Sequence, residues 1–259
     1  MPSFSEFPFE GATNRFASSA SVLEELQRRR EERATQMVAR LAASEELNAV
    51  IQRNVAPYRR LMTYYECAMM EVETKFRVLD AEFGLQHDRN PIESVKTRLK
   101  STDSLAKKLS RKGFPLSVES IEQNIFDVAG VRVVCTFPED IFTLADALLA
   151  QDDVTLVERR DYVANPKPSG YRSLHLIVEI PIFLEHEKRP VKVEVQLRTI
   201  SMNFWASLEH QLRYKKDLPD EQAAAVAREL AELADTAADL DARMQALRTF
   251  LDDSREEER

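Results

Sequence analysis

The spacing of apolar residues changes along the chain and predicts helices first. Ser21, followed by Glu24, has the capping-box pattern that begins a helix, expected here over residues 21–53. A second helix is expected from Pro57 to about Gly84, because proline in a first turn loses no helical hydrogen bond. Its apolar residues alternate four and three apart and predict core packing between helices: Tyr58, Met62, Tyr65, Met69, Val72, Phe76, Leu79 and Phe83.

From about residue 91 to residue 200 the apolar pattern changes to a period of two. It predicts strands at residues 131–137, 154–163, 173–180 and 191–198, with a helix at 141–150 that Pro138 introduces. The last strand alternates strictly, so one of its faces is apolar and the other is polar or charged. Helices mixed with strands of this length predict an α+β fold.

The C-terminal region, residues 217–259, is acidic and helical in its pattern. It contains thirteen acidic and five basic residues, so its charge of −8 equals the net charge of the whole chain. Apolar residues recur at four-three spacing and form a narrow seam: Val226, Leu230, Leu233, Ala237, Leu240, Met244, Leu247 and Leu251. Such a seam predicts a partner helix, either within the chain or across a subunit interface.

Composition limits the class of protein. A chain of 259 residues, 44% hydrophobic and 31% charged, predicts one catalytic-size domain with helical additions. Cys67 and Cys135 have no disulfide or metal-ligand spacing and indicate buried free thiols in a reducing compartment. No apolar run reaches the roughly 20 residues of a membrane span, and residues 1–20 predict a loose arm without the order of a signal peptide. We therefore expect a soluble, cytoplasmic protein.

Outside the tail the charges balance, which does not support generic nucleic-acid binding by a basic domain. One stretch is strongly basic, because between residues 96 and 112 Asp103 is the single acidic residue. Its cations are Lys96, Arg98, Lys100, Lys107, Lys108, Arg111 and Lys112. Such a cluster can bind polyphosphate or form the solvated face of a helix, and composition alone favours the solvated face.

Two carboxylates are candidates for a metal site. Asp127 lies at the mouth of the strand predicted at 131–137, and Glu194 lies on the polar face of the last strand. Asp127 alone could merely cap backbone groups, and a mixed polar face such as that of Glu194 is common on surface strands. On adjacent strands the two suit Mg²⁺, which binds through one or two carboxylates plus substrate phosphates. Together with the basic cluster they indicate a phosphate-transfer site.

Two further candidates come from the turn at residues 165–171 and the strand after it. Tyr171 follows Ser169 and Gly170, so a flexible turn presents an aromatic ring. That ring either packs on the surface or stacks on a base. His175 lies on the adjoining strand, where a lone histidine is more often structural than catalytic.

Five motifs, in their order, resemble the RelA/SpoT-type (p)ppGpp synthetase family. They begin at Asp127 (DVAGVR), Arg160 (RDY), Lys167 (KPSGYRSLH), Glu194 (EVQLRT) and Asn203 (NFWASLEH). The similarity covers about residues 96–216, and the length of the chain suggests the stand-alone subgroup, the small alarmone synthetases. The resemblance implies a nucleotidyltransferase-like mixed sheet flanked by helices, with an N-terminal helical pair and a long C-terminal helix.

The resemblance also implies a reaction and its cofactor. Pyrophosphate would pass from ATP to the 3′-hydroxyl of GDP or GTP, releasing AMP and making the signal nucleotides of the stringent response. Mg²⁺ would be the cofactor, and the protein would be a homo-oligomer, commonly a homotetramer in this subgroup. The chain then divides into an arm (1–20), N-terminal helices (21–90), a catalytic domain (91–216) and an acidic helix for oligomerisation (217–259).

Roles for individual residues follow from the matched motifs. Asp127 and Glu194 would hold Mg²⁺, with Glu194 also the candidate base for the 3′-hydroxyl. ATP would be bound by Arg98 and Arg132 on either side of the adenine, and by Lys100, Lys108 and Arg111 on its phosphates. GDP or GTP would be bound by Tyr171 stacked on guanine, by His175 and Asn203, and by Lys167 on its phosphates. Arg160, Gln196 and Arg198 would support the site, the last two by organising Glu194.

Two other classes of protein account for parts of this pattern. One is a catalytically inactive nucleotide- or RNA-binding module on the same fold, which would not need both carboxylates. The other is a nucleotidyltransferase that extends an RNA end, which would release pyrophosphate and lack the turn that carries Tyr171. RNA binding itself has no support in the composition.

Overall fold

The computed structural model describes residues 19–87, 89–213 and 220–257. The expected arm lies almost wholly outside these residues, as do the ends of the expected C-terminal helix region. The described helices are α1 (Ser19–Arg53), α2 (Val55–His87), α3 (Thr102–Lys112), α4 (Val118–Asn124), α5 (Pro138–Leu149), α6 (Ile200–Arg213) and α7 (Asp220–Glu257). The described strands are β1 (Ile92–Leu99), β2 (Ala129–Cys135), β3 (Thr155–Asp161), β4 (Leu174–Phe183) and β5 (Lys188–Thr199).

The strands form one sheet in the order β1-β2-β5-β4-β3. β2 and β5 are parallel, and the other pairs are antiparallel. The expected α+β fold with a mixed sheet is therefore confirmed, and the four predicted strands correspond to β2–β5. β1 was not predicted, because this edge strand is exposed or half-buried along its whole length and lacks a clean apolar alternation.

The apolar face of the sheet is the core of the protein. β2, β4 and β5 direct valine and leucine side chains to this face, among them the fully buried Val133, Val193, Val195 and Leu176. Helices α2 and α5 cover it. The apolar stripe of α2 is buried as predicted, but it packs mainly against the sheet instead of against another helix. Full burial of one such side chain contributes about 1.5–3 kcal/mol.

Helix α1 begins at Ser19, two residues before the predicted start, so Ser21 lies inside the helix and does not cap it. It packs chiefly along α3, although α2 follows it directly in the chain. Leu47 is fully buried in the core, and the Ser44 hydroxyl donates a hydrogen bond to the carboxylate of Asp103 on α3. These contacts fix the C-terminal half of α1 beside α3.

Helix α3 turns its cations away from the core. Ser101 caps its first turn by accepting a hydrogen bond from the Ser104 N–H (3.4 Å), and Gly113 ends it with a left-handed backbone, φ 71°. Leu105, Ala106 and Leu109 are fully buried, so the intervening lysines and arginine lie on the other side. The basic cluster is thus divided between β1 and α3 and is not one helix face.

Helix α7 presents two different surfaces. Leu230 and Ala234 are buried against the rest of the chain, and Asp241 accepts hydrogen bonds of 2.6 Å from the hydroxyls of both Thr199 and Ser201. Five residues of the predicted seam are nevertheless exposed, by 47% to 60%: Leu233, Leu240, Met244, Leu247 and Leu251. We call these five residues the outer seam of α7; they have no helix partner within the described chain.

The sequence also predicted buried free thiols and no membrane-spanning segment. Cys67 and Cys135 are free cysteines, Cys135 buried and Cys67 half-buried. Across the residues that the structure describes, no helix is both long and apolar enough to cross a bilayer.

Candidate active site

The register of the sheet brings the predicted residues together on its polar face. Residues directly opposite one another on neighbouring strands point to the same side. One such row runs from β1 to β3 and consists of Lys96, Arg132, Gln196, His175 and Arg160. The next row consists of Arg98, Gly130, Glu194, Ile177 and Glu158. Residues as distant in sequence as Lys96 and Gln196 therefore share one surface.

Three residues of these rows form a closed ring of hydrogen bonds with Arg198 and Tyr171. Gln196 Nε2 donates to Glu194 Oε2 (2.7 Å), and Arg198 Nη2 donates to Gln196 Oε1 (2.9 Å). Arg198 also donates to the Tyr171 hydroxyl, which lies 2.8 Å from His175 Nε2. His175 Nδ1 closes the ring at 3.3 Å from Glu194 Oε1. We call Glu194, Gln196, Arg198, Tyr171 and His175 the acceptor ring.

One proton arrangement satisfies every bond of the acceptor ring. When His175 carries a proton on Nδ1, the imidazole donates to Glu194 and its Nε2 accepts from Tyr171, while Tyr171 accepts from Arg198. Burial raises the pKa of Glu194, but the hydrogen bonds from His175 and from the Gln196 amide outweigh it and hold that pKa below its usual range. Glu194 is therefore ionised at neutral pH, with both carboxylate oxygens already oriented.

Asp127 lies between two lysines at the entrance of β2. Its Oδ2 atom pairs with Lys108 Nζ at 2.7 Å and with Lys100 Nζ at 3.0 Å. Burial raises the pKa of Asp127, but the two ammonium groups outweigh it and keep that pKa below its usual range. Its other oxygen, Oδ1, is buried and has no hydrogen-bond partner among the residues that the structure describes, which is unusual for a carboxylate and suits a ligand atom.

A cavity of about 350 Å³ joins the two carboxylates. Asp127 and Glu194 line it together with Arg98, Arg132 and Lys100. Arg132 Nε is buried there without a hydrogen-bond partner. No cluster of three or more metal-ligating side chains occurs in the described residues, so the two carboxylates would need ligands from water or a substrate to complete a metal site.

A second cavity, of about 660 Å³, shares Lys100 and Asp127 with the first. Lys107, Lys108 and Arg111 of α3 line one wall. α1 forms the opposite wall through Gln36, Ala39, Arg40 and Ala43. The predicted ATP-binding cations thus all line two connected cavities, whereas nothing in the sequence pattern pointed to Arg40.

The turn that carries Tyr171 is packed and ordered. Lys167 Nζ lies over the rings of Tyr162 and Tyr171, 4.5 and 4.7 Å from their centroids. Tyr162 also packs edge-on against His175, with ring centroids 5.3 Å apart. Lys167 is exposed, so its contact with the two rings is weak and can be broken at small cost. Sequence reasoning missed Tyr162, although the RDY motif contains it.

Helix α7 supports this turn from behind. Gly170 has φ 88°, and a Cβ atom built on it would lie 2.5 Å from the Cβ of Ala234. Tyr171 packs against Trp205, Leu230 and Ala234, and the Trp205 ring N–H donates to the Leu230 carbonyl at 2.8 Å. The C-terminal helix is therefore part of the wall behind the candidate acceptor site.

Asn203 and Arg160, two of the predicted site residues, lie outside the acceptor ring. Asn203 lies in the first turn of α6, and its Oδ1 atom is buried without a hydrogen-bond partner. Arg160 shares a row with His175, but its guanidinium makes a bidentate pair with Glu158 on its own strand, at 2.7 and 2.8 Å. Neither residue joins the acceptor ring by a hydrogen bond.

Comparison with known proteins agrees with this geometry. Residues 97–218 match the region found in RelA/SpoT proteins. GTP pyrophosphokinase YwaC of Bacillus subtilis (strain 168) is 40% identical over 197 residues, which are 75% of this chain and 92% of YwaC.

Two solved structures of one Bacillus subtilis protein carry ligands. Small alarmone synthetase 1 bound to its product pppGpp matches with TM-score 0.64 and 36% identity, covering 76% of this chain and 96% of that one. The same synthetase bound to AMPCPP matches with TM-score 0.60 and 32% identity, covering 78% and 97%. The chain therefore belongs to the RelA/SpoT family. Within that family it matches small alarmone synthetases over nearly their whole length.

Proposed function

We propose that this chain is a GTP diphosphokinase that transfers the β,γ-pyrophosphate group of ATP to the 3′-hydroxyl of GDP or GTP. The observation that carries the proposal is the position of Glu194, which belongs to the acceptor ring and also lines the cavity of Asp127, Arg98 and Arg132. It lies where a donor and an acceptor nucleotide would meet. The naming of YwaC as a GTP pyrophosphokinase and the pppGpp and AMPCPP complexes of small alarmone synthetase 1 support the same reaction.

The chemistry requires one proton acceptor. The 3′-oxygen forms a bond to the β-phosphorus, the bond from that phosphorus to the oxygen bridging the α-phosphate breaks, and AMP leaves with the bridging oxygen. Glu194 accepts the proton of the 3′-hydroxyl. His175 and Gln196 orient its two oxygens before substrate binds, so little reorganisation is needed at the moment of transfer.

The two carboxylates fit a divalent cation. Asp127 and Glu194 would hold Mg²⁺, because both supply oxygen ligands and Asp127 Oδ1 has no other partner. When bound, Mg²⁺ neutralises phosphate charge and favours attack on the β-phosphorus. Lys100 and Lys108, which pair with Asp127 in this structure, would then have the phosphates of ATP as partners.

The remaining residues divide between the two nucleotides. Arg98 and Arg132 would bracket the adenine, since planar guanidinium groups stack on bases. Lys100, Lys108 and Arg111 would contact the ATP phosphates in the larger cavity. On the other side Tyr171 would stack on guanine, with His175 and Asn203 beside it and Lys167 on the phosphates. Gln196 and Arg198 hold Glu194 and Tyr171 in place, and Arg160 lies at the margin.

The first test is a reaction with purified protein, Mg²⁺, labelled ATP and either GDP or GTP, followed by separation of the nucleotides. We expect AMP to appear in step with a guanosine tetra- or pentaphosphate. ATP left unchanged by a folded protein would favour the inactive binding module, which the comparisons do not support. Release of pyrophosphate would instead favour a nucleotidyltransferase that extends RNA.

We also propose a homo-oligomer, a homotetramer by resemblance, located in the cytoplasm where its nucleotides are available. The outer seam of α7 supports assembly, because an exposed row of five large apolar residues is costly to leave in water. Sedimentation of a Leu240→Glu/Leu247→Glu variant should show smaller particles than the wild type. A Thr236→Glu/Thr249→Glu control adds the same charge to the same helix and should not change the assembly.

A further inference from the structure

The larger cavity has a wall that lies outside the matched family region. Helix α1 ends at Arg53, whereas the match begins at residue 97. Gln36, Ala39, Arg40 and Ala43 nevertheless line the cavity together with Lys100, Lys108, Arg111 and Asp127. Residues 36, 39, 40 and 43 recur at three- and four-residue spacing and so share one side of the helix.

The wall is fixed in position. Leu47, one turn beyond the lining residues, is fully buried, and Ser44 is hydrogen-bonded to Asp103 on α3. Ala39 and Ala43 are small, which leaves the space between α1 and α3 open. The Arg40 side chain therefore projects from a helix docked on α3, and its placement does not depend on a loop.

The charges around this cavity are not balanced within the protein. Lys100 and Lys108 pair with Asp127. Arg40, Lys107 and Arg111 make no ion pair with the part of the chain that the structure describes. Three unpaired cations on one concave surface favour a multiply charged anion, and arginine in particular suits phosphate through its planar set of donors.

We propose that Arg40 is a further ATP-binding residue, which contacts the terminal phosphates. The inference rests on the proposed function, because it takes the smaller cavity, with Arg98 and Arg132, as the place of the adenine. The two cavities meet at Lys100 and Asp127, so the triphosphate extends from there into the larger cavity, between α3 and α1. Helix α1 is thus part of the donor site and is not only an addition to the fold.

The test compares Arg40→Ala with Arg30→Ala. Arg30 lies on the same helix about 15 Å away along its axis and does not line the cavity. Arg40→Ala should raise the KM for ATP by about fivefold, the upper end of what an exposed ion pair contributes, and leave the KM for GDP unchanged. Arg30→Ala should leave both constants unchanged. Arg40→Lys should recover part of the loss, because it keeps the charge.

A binding measurement separates this inference from the proposed function. Calorimetric titration with inorganic tripolyphosphate and with AMP requires no turnover. Arg40→Ala should weaken tripolyphosphate binding and leave AMP binding unchanged, even if the wild type makes no alarmone. Equal tripolyphosphate affinity in wild type and Arg40→Ala, or an equal loss in Arg30→Ala, would overturn the inference. An inactive wild type would overturn the proposed reaction alone.

Discussion

The two halves of the candidate site differ in how far they are organised before a ligand binds. The acceptor half, built around the acceptor ring, has each of its five side chains hydrogen-bonded to the next. The donor half, formed by the two cavities, has unpaired cations and a buried carboxylate oxygen without a partner. The acceptor half is pre-organised by the protein, whereas the donor half has polar groups that an anion and a cation would satisfy under the proposed function.

The strands and helices that carry the two halves explain why one is more organised than the other. The acceptor ring lies on β4 and β5, which are interior strands, and α7 supports the Tyr171 turn. The smaller donor cavity lies over β1, β2 and β5, and the larger one lies between helices α1 and α3, where the small Ala39 and Ala43 leave space open. The acceptor side chains are therefore already ordered in the folded protein, whereas under the proposed function part of the donor ordering would accompany binding. Substitutions in the two halves should accordingly affect different kinetic constants.

The largest effect should come from Glu194, where the halves meet. Glu194→Gln keeps the shape of the side chain but removes the proton acceptor, so kcat should fall on the order of 10³-fold, within the range that general bases contribute. Nucleotide binding and thermal unfolding should change little. The control is Glu179→Gln, on β4 beside a separate cavity, which should retain activity. Normal turnover in a folded Glu194→Gln protein would remove Glu194 from the mechanism.

The contact between the Tyr171 turn and α7 should be the next most sensitive feature. Gly170→Ala would place a methyl group 2.5 Å from Ala234 and displace the turn, so the KM for GDP should rise roughly tenfold while the KM for ATP stays constant. Gly113→Ala is a matched control, because Gly113 also has positive φ but has no atom within 4 Å of an added Cβ. Both variants carry a backbone cost of about 1–2 kcal/mol.

Measuring the KM for GDP and the KM for ATP in both glycine variants separates steric displacement of the turn from backbone strain. If Gly113→Ala raised the KM for GDP as much as Gly170→Ala, general destabilisation would be the cause and the support from α7 would be irrelevant to acceptor binding.

The Tyr171 hydroxyl makes two of the hydrogen bonds in the acceptor ring. Tyr171→Phe keeps the stacking surface but removes the group that joins Arg198 to His175, so kcat should fall roughly fivefold, since a net hydrogen bond contributes about 1 kcal/mol. Tyr162→Phe is the control, because the Tyr162 hydroxyl makes no hydrogen bond with the described residues. A steady-state comparison in which both variants lost kcat equally would show that the ring bond has no special role.

The smallest effect concerns protonation in the donor half. In the wild type, ionised Asp127 contributes stability that is present above the pKa of the unfolded chain and is lost as pH falls through the lowered folded-state pKa. Lys108→Met removes one of the two ammonium groups that lower the pKa of Asp127. Because burial raises that pKa, the pKa of Asp127 should rise in this variant. The stability that ionised Asp127 contributes should then be smaller, and its loss in acid should be complete at a higher pH.

Carboxyl NMR titration of Asp127 measures this directly. Lys107→Met is the control, because Lys107 lines the same cavity without pairing with Asp127. A pKa that moved equally in both variants would mean that the general positive charge of the cavity, and not the Lys108 contact, holds Asp127 ionised.

Several features of the site follow from the amino-acid sequence alone. Alternation in β5 assigned Glu194, Gln196 and Arg198 to one face, because side chains on a strand alternate between its two sides. The motifs that begin at Asp127, Lys167 and Asn203 identified the family, and comparison with known proteins confirmed it. The individual roles of the site residues remain predictions.

Other features depended on how distant segments pack. The ring that links Tyr171 to Arg198 depends on the pairing of β4 with β5, which no local pattern specifies. Arg40 joins the donor cavity only because α1 lies along α3 instead of along α2. The apolar seam of α7 predicted one partner surface, yet the structure buries Leu230 and leaves Leu240 of the same seam exposed.

Local periodicity thus determined which residues share a face, and motif identity determined the family, since both depend on neighbours in the chain. Which faces meet was decided only by the tertiary structure. Strand register, helix docking and the closing of two cavities over Asp127 and Glu194 follow from contacts between residues far apart in sequence. Burial of the main core beneath the sheet selects those contacts, and the free energy of that burial belongs to the whole fold and not to any one segment.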